Sequence, residues 1–93
     1  MAMTVEEFQD IHDEYMEFLT FAEGLVDARR SEARAAHNRA VAHLDELELG
    51  QELEDLSRAA DTYADCLQKV IERHRQYCSI LEQAIADKKM MDR

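Results

Sequence analysis

The feature that most constrains this chain is a pair of apolar rows with helical spacing that do not join into one row. In the second half the steps alternate between four and three, as in a heptad seam, through Leu49, Leu53, Leu56, Ala60, Tyr63, Leu67, Val70, His74, Tyr77, Leu81 and Ala84. A similar row in the first half ends at Leu44 and Leu47. Extended beyond Leu47, that row meets the polar side chains Gln51 and Glu54. The second row is therefore displaced by two residues.

A displacement of two is not one of the insertions of three or four residues that coiled coils accommodate. The seam changes face at Gly50, and glycine is the usual residue just past a helix end. We therefore predict an all-α, antiparallel two-helix hairpin with long, coiled-coil-like arms, forming one domain over residues 1–93. Helix one is expected over about 5–48, the turn near 49–51 and helix two over about 52–90.

Two local signals refine the first arm. Thr4 and Glu7 have the spacing of a capping box, which predicts the start of helix one. Gly24 lies within the arm, where the apolar row keeps its phase, and a glycine there would leave room for the ring of Tyr77. A break of helix one at Gly24 is the open alternative.

Charge is distributed in blocks that also favour a hairpin. The net charges, which add up to −10, are −8 for residues 1–28, +3 for 29–43, −7 for 44–65 and +2 for 66–93. Folding at Gly50 places the arginines of the second block beside Asp61 and Asp65, whereas a parallel dimer of straight rods would stack like charges. One detail disagrees, because acids at 45–48 would lie at a helix C-terminus, where the helix dipole disfavours them.

The apolar stripe is narrow and rich in alanine near the turn, but wide and bulky near the termini. One antiparallel helix cannot cover the wide end, so we expect a homodimer that closes into a four-helix bundle. A helix of another protein in the same groove and a loosely packed monomer are the alternatives. The candidate partner interface comprises Tyr15, Phe18, Phe21, Leu25, Ile71, Cys78 and Ile85.

A row of acids on helix one is a second candidate surface. Its members, at helical spacing, are Glu6, Asp10, Asp13 and Glu17. Such a row is typical of a solvated outer face. In the functional interpretation it rims the apolar surface and steers a basic partner.

The sequence contains no catalytic motif that we can identify: no glycine-rich phosphate loop, Gly-x-Ser-x-Gly, His-Glu-x-x-His or Cys-x-x-Cys. Cys66 and Cys78 are too far apart on one helix for a disulfide and are expected to be reduced thiols. His74 and Cys78 share a helix face, but their expected neighbours Ala22 and Val26 offer no metal ligand. We expect no enzymatic activity, no metal and no cofactor.

His74 is the polar member of the second apolar row. It is expected to be partly buried and hydrogen-bonded to a neighbour, for which Glu23, Asp27 or an acid across an interface are the candidates. The alternative is a pH-sensitive residue, or one that sets the register of the helices.

The net charge of −10 disfavours nucleic acid and anionic lipid as direct ligands. No apolar run approaches the ~20 residues of a membrane span, and the N-terminus lacks a signal-peptide pattern. The sequence therefore predicts a cytoplasmic, non-enzymatic protein–protein interaction module acting as an adaptor, chaperone or inhibitor. The alternative is an acidic inhibitor that mimics nucleic acid and blocks a nucleic-acid-binding protein, as phage-type inhibitors do.

Overall fold

The computed structural model describes residues 3–91, which form two α-helices, α1 (Val5–Ala42) and α2 (Leu47–Met91). The helices pack side by side in an elongated body of 72 × 18 × 14 Å. Arg30 lies beside Asp61 and Asp65, as the charge blocks predict. The predicted all-α hairpin is therefore confirmed.

The start and the continuity of α1 follow from local interactions. The backbone N–H of Glu7 donates to Thr4 Oγ1 at 3.1 Å, and the Glu7 carboxylate accepts from the Thr4 backbone, so the capping box is formed. α1 continues through Gly24 without a break. A Cβ atom at Gly24 would have no neighbour within 4 Å, so the expected role in making room for Tyr77 is wrong.

The turn lies earlier than the sequence predicts. Residues 43–46 connect the helices, whereas residues 49–51 belong to the first turns of α2. The His43 N–H closes α1 by donating to the carbonyl of Arg39, and the Gly50 N–H donates to the carbonyl of Glu46 at 2.9 Å. Neither glycine in the described part of the chain has a positive φ, so Gly50 is not a helix-ending residue here.

The helix dipole gives a physical reason for this earlier turn. With residues 43–46 as the connection, Asp45 and Glu46 precede α2 and Glu48 lies in its first turn. Carboxylates are stabilised at a helix N-terminus and destabilised at a C-terminus, by about 0.3–1 kcal/mol each. The observed turn thus removes the disagreement that a turn near Gly50 would create.

The contact between the helices is a heptad seam, whose core positions are named a and d. In α1 the buried residues are Leu19, Val26, Ala33 and Ala40 at a, with Ala22 and Ala36 at d. In α2 they are Ser57, Ala64, Ile71, Cys78 and Ile85 at a, with Ala60 at d. The row predicted for α2 contained the d residues but replaced the a residues with their preceding neighbours. The seam is therefore rotated by one residue from the prediction.

Side chains in the seam are small near the turn and large towards the termini. Near the turn, alanines pack closely, and the Ser57 hydroxyl donates to the carbonyl of Ala33 at 2.8 Å. Further along, Leu19, Val26 and Ile71 form the main apolar cluster, with Tyr15 and Leu67 packed against it. The seam therefore contains its largest side chains at the end that carries the aromatic residues.

Candidate protein-binding face

Two further heptad positions, g and e, lie on opposite sides of the seam. The g flank comprises Ile11, Phe18, Leu25, Glu32 and Arg39 of α1 and Leu49, Leu56, Tyr63, Val70 and Tyr77 of α2. The e flank comprises Met16, Glu23, Arg30 and His37 of α1 and Glu54, Asp61, Gln68, Arg75 and Glu82 of α2. Because the helices are antiparallel, each flank of one helix lies beside the same flank of the other. The composition of the two flanks differs sharply.

An aromatic cluster joins the helices on the g side. The ring centroids of Tyr15 and His74, both at d, are 5.2 Å apart. Phe18 lies 4.4 Å from His74, and Tyr77 lies 6.2 Å from Tyr15. Such tilted ring pairs contribute about 0.5–1.5 kcal/mol beyond the area that they bury. The cluster therefore fixes the g sides of both helices next to each other.

His74 takes its neighbours from this cluster rather than from an acid. Its Nδ1 atom is 3.3 Å from the carbonyl oxygen of Val70, one turn earlier in α2. Glu23, one of the expected partners, instead accepts from Arg75 at 2.6 Å on the e flank. The predicted bond from His74 to Glu23 or Asp27 is therefore wrong, because those acids lie away from the face that His74 occupies.

The g row of α2 is the most exposed line of large apolar side chains on the hairpin. Leu49, Leu56, Tyr63, Val70 and Tyr77 recur every seven residues, and each is between 37% and 55% exposed. Isolated exposed apolar residues are common on proteins, but a regular line of them along one face indicates an interface. The sequence analysis missed this exposed row, because it assigned these residues to the intramolecular seam.

The g row of α1 is shorter and better covered. Ile11, Phe18 and Leu25 are half-buried, and the row then continues with the charged residues Glu32 and Arg39. Near the turn, Glu32 and Arg39 line a shallow groove together with Leu53 and Leu56 of α2. The apolar part of the g flank therefore runs along most of α2 but only along the N-terminal half of α1.

Ion pairs and histidine–carboxylate contacts between the helices lie on the e side. Arg30 contacts Asp61 and Asp65, at 3.7 and 3.0 Å. His37 Nδ1 lies 2.7 Å from Glu54, and His12 Nε2 lies 3.0 Å from Glu82. With the Glu23–Arg75 pair, these contacts satisfy charges of both helices within one chain. The e flank thus has its partners inside the hairpin.

The predicted interface residues fall into two groups in the structure. Tyr15, Phe18 and Leu25 are half-buried on the g side, and Phe21 is exposed at the adjoining c position. By contrast Ile71, Cys78 and Ile85 occupy a positions, and Ile71 is 0% exposed. Placing these last three on a partner surface is therefore wrong, because α1 already covers them.

The acidic row is exposed but does not border the g flank as predicted. Glu6, Asp10, Asp13 and Glu17 occupy b and f positions, on the side of α1 that points away from α2. The steps between them match the seam row but are out of phase with it by two residues, or about 200° around the helix. Any steering of a partner by these acids would act from the back of α1.

The groups that could carry chemistry are dispersed. Within residues 3–91 no three His, Cys, Asp or Glu side chains lie close enough together to hold a metal ion. Cys66 and Cys78 are free thiols. Burial, and secondarily the negative charge of Glu82, raises the pKa of Cys78, which keeps this thiol in its less nucleophilic protonated form.

The described helices include none that is long and apolar enough to cross a membrane. Comparison of the chain with protein-family models, with curated proteins and with solved structures finds no match.

Proposed function

We propose that this chain is a non-enzymatic protein–protein interaction module that binds another helical chain along its g flank. The observation that supports this proposal is the regular line of exposed large side chains on α2, from Leu49 to Tyr77, beside the aromatic cluster. An adaptor, a chaperone or an inhibitor would each use such a surface. Self-association into a four-helix bundle is the form that we propose for the complex.

A second layer of helices would remove the exposed α2 row from water. Full burial of a large apolar side chain contributes about 1.5–3 kcal/mol, so covering a half-exposed one contributes on the order of 1 kcal/mol. The α2 row supplies this several times over on each chain. Two faces of this kind packed together form the core of a four-helix bundle, in which each helix presents a second apolar stripe.

Sedimentation of matched variants tests this proposal. Val70→Asp places a charge in the α2 row, whereas Thr62→Asp places the same charge at an exposed f position on the same helix. We expect the wild-type protein to sediment as a dimer and the Val70→Asp variant to sediment as a monomer. Circular dichroism should show the same helix content for both. The second variant should leave the dimer intact. A wild-type chain that is monomeric at millimolar concentration would contradict self-association.

The second candidate function is the acidic inhibitor that mimics nucleic acid. The observation that favours it is the exposed line Glu6, Asp10, Asp13 and Glu17 along the back of α1. Salt separates the two proposals, because screening weakens an interface made of exposed charges and leaves an apolar interface largely unchanged. A complex that dissociates between 0.1 and 1 M salt, roughly a threefold change in Debye length, would favour the mimic.

A further inference from the structure

The exposed row of α2 is symmetric about its centre. Its five large members are spaced by seven residues, with Tyr63 in the middle, and the next heptad position carries only the methyl group of Ala84. A row that is regular and centred on one residue matches itself when a second copy is turned end over end. A second copy is therefore a partner whose row has the spacing and length that this row requires.

The next row outward has a matching symmetry of charge. Three residues after each member of the α2 g row lies a c position, and these five positions hold Glu52, Ala59, Cys66, Arg73 and Ile80. In the first four of these positions an acid and a base flank two small side chains, at eleven and ten residues from Tyr63, and Ile80 lies beyond Arg73. Among the ion pairs within residues 3–91, none involves Glu52 or Arg73.

We propose that the occupant of the g flank is a second copy of this chain, with its α2 packed antiparallel on α2 and the two-fold axis passing at Tyr63. This inference rests on the proposed function and adds the partner, orientation and register. Leu49 then faces Tyr77 of the second copy, and Leu56 faces its Val70. Each contact occurs twice, as an isologous interface requires.

The same register places opposite charges together. A two-fold axis perpendicular to the helices brings the c row of one copy beside the c row of the other. Glu52 then lies alongside Arg73 of the second copy, and the reciprocal pair forms at the other end. Between these pairs the small Ala59 and Cys66 side chains allow the two helices to approach closely.

The other symmetric arrangement leaves part of the row facing charges. If the two hairpins aligned with their turns at the same end, α2 of one copy would lie on α1 of the other. Leu56 and Tyr63 would then lie against the half of α1 that carries Arg29 and Glu32, which are bridged at 3.1 Å. The antiparallel pairing of α2 with α2 instead gives every large member of the row an apolar partner.

Reciprocal charge reversal tests the register. Glu52→Arg and Arg73→Glu should each raise the dimer dissociation constant by about two- to thirtyfold, since two exposed pairs are lost per dimer. The double variant should return the constant to near the wild-type value, because the pairs reform with reversed polarity. Glu72→Arg, at a b position away from the face, is the matched control and should change the constant little. A double variant no better than the single variants would overturn the proposed register.

A distance between copies provides an independent test. Gln83 is exposed and lies twenty residues beyond Tyr63. Spin labels at position 83, in a Cys66→Ser, Cys78→Ala background shown to keep its helix content and dimerisation, should lie about 60 Å apart across the dimer. A separation below about 35 Å would overturn this arrangement while leaving a dimer, and with it the proposed function, in place. A chain that never dimerises would instead overturn both.

Discussion

The e flank and the g flank border the same seam, yet they differ in their contacts with the other helix. On the e flank, Glu23 meets Arg75 and Arg30 meets Asp61 and Asp65, so charges of one helix find opposite charges on the other. On the g flank of α2, apolar side chains such as Tyr63 and Val70 remain half-exposed beside the seam. The charges of the e flank are therefore paired within one chain, whereas the apolar side chains of the α2 g flank stay partly in contact with water.

Under the proposed function, the e flank contributes to folding and the g flank to binding. Exposed ion pairs contribute little stability but penalise a wrong alignment, because shifting one helix would bring like charges together. The e flank thus specifies the register of the hairpin. The g flank adds no such specification within the chain, and its apolar surface gains most when a second chain removes it from water.

The largest expected effect is the loss of stability when a side chain is truncated in the seam between the two flanks. Ile71→Ala should lower the free energy of unfolding by about 2–5 kcal/mol, because Ile71 is fully buried against α1. Val41→Ala removes apolar groups at an exposed position of α1 outside both the seam and the g flank, and should stay within about 0.5 kcal/mol. Urea denaturation monitored by circular dichroism measures both. Equal losses in the two variants would show that the seam lies elsewhere.

The reactivity of the two cysteines also tests which residues of α2 lie in the seam. Cys78 lies in the seam, and its raised pKa lowers the thiolate fraction at any given pH, whereas Cys66 is exposed. On chain diluted until it is monomeric, so that no second copy covers Cys66, iodoacetamide at pH 8 should therefore modify Cys66 roughly a hundredfold faster than Cys78, which reacts only when the hairpin opens. Mass spectrometry of peptides gives both rates. The difference should disappear in denaturing urea, and its absence under native conditions would place Cys78 outside the seam.

The glycines give a smaller effect that tests the position of the turn. Gly24→Ala should stabilise the hairpin by about 0.5–1 kcal/mol, because alanine favours the helix and its Cβ meets no neighbour. Gly50→Ala should also be tolerated, since its Cβ would lie 3.7 Å from the carbonyl oxygen of His43. Thermal unfolding measures both changes. A marked loss in Gly50→Ala would support a left-handed glycine at the end of helix one instead.

The smallest expected effect concerns the e flank. Arg75→Glu should cost about 0.2–1 kcal/mol at low salt, because it sets two carboxylates together at Glu23, and less in 1 M salt. Adding Glu23→Arg should restore most of the loss. Sedimentation should show an unchanged oligomeric state in both variants. A change of oligomeric state would mean that the e flank also contributes to the interface.

Much of the fold follows from the sequence because its signals agree with one another. The displaced apolar rows and the charge blocks both predict a hairpin, and Thr4 with Glu7 predicts the start of α1. The turn was misplaced because the prediction relied on Gly50 rather than on the acids at 45–48. Acids favour a helix N-terminus, and this preference indicates the observed position of the turn. Glycine tolerates an ordinary helical conformation as well as a left-handed one, so its presence alone does not define a helix end.

The candidate site was harder to predict, because in α2 the g position is apolar as well as most of the a and d positions. Ile71 at a and Val70 at g are adjacent, and either one forms a regular row with the d residues. A single sequence does not state which pair faces the other helix. The charged e residues distinguish the two possibilities. Glu23 can pair with Arg75, and Arg30 with Asp61, only when the a and d positions form the seam.

The grading of side-chain size along the seam also affects how the hairpin folds. Contacts near the turn join residues close in sequence, such as Ser57 and Ala33, so their loop-closure entropy is small, but they bury little more than methyl groups. The contacts of His12 with Glu82 and of Tyr15 with His74 span far longer loops and lie where the seam is bulkiest. Zippering from the turn therefore gains little energy until it reaches the aromatic end. The hairpin is thus secured at its free ends, where helices ordinarily fray.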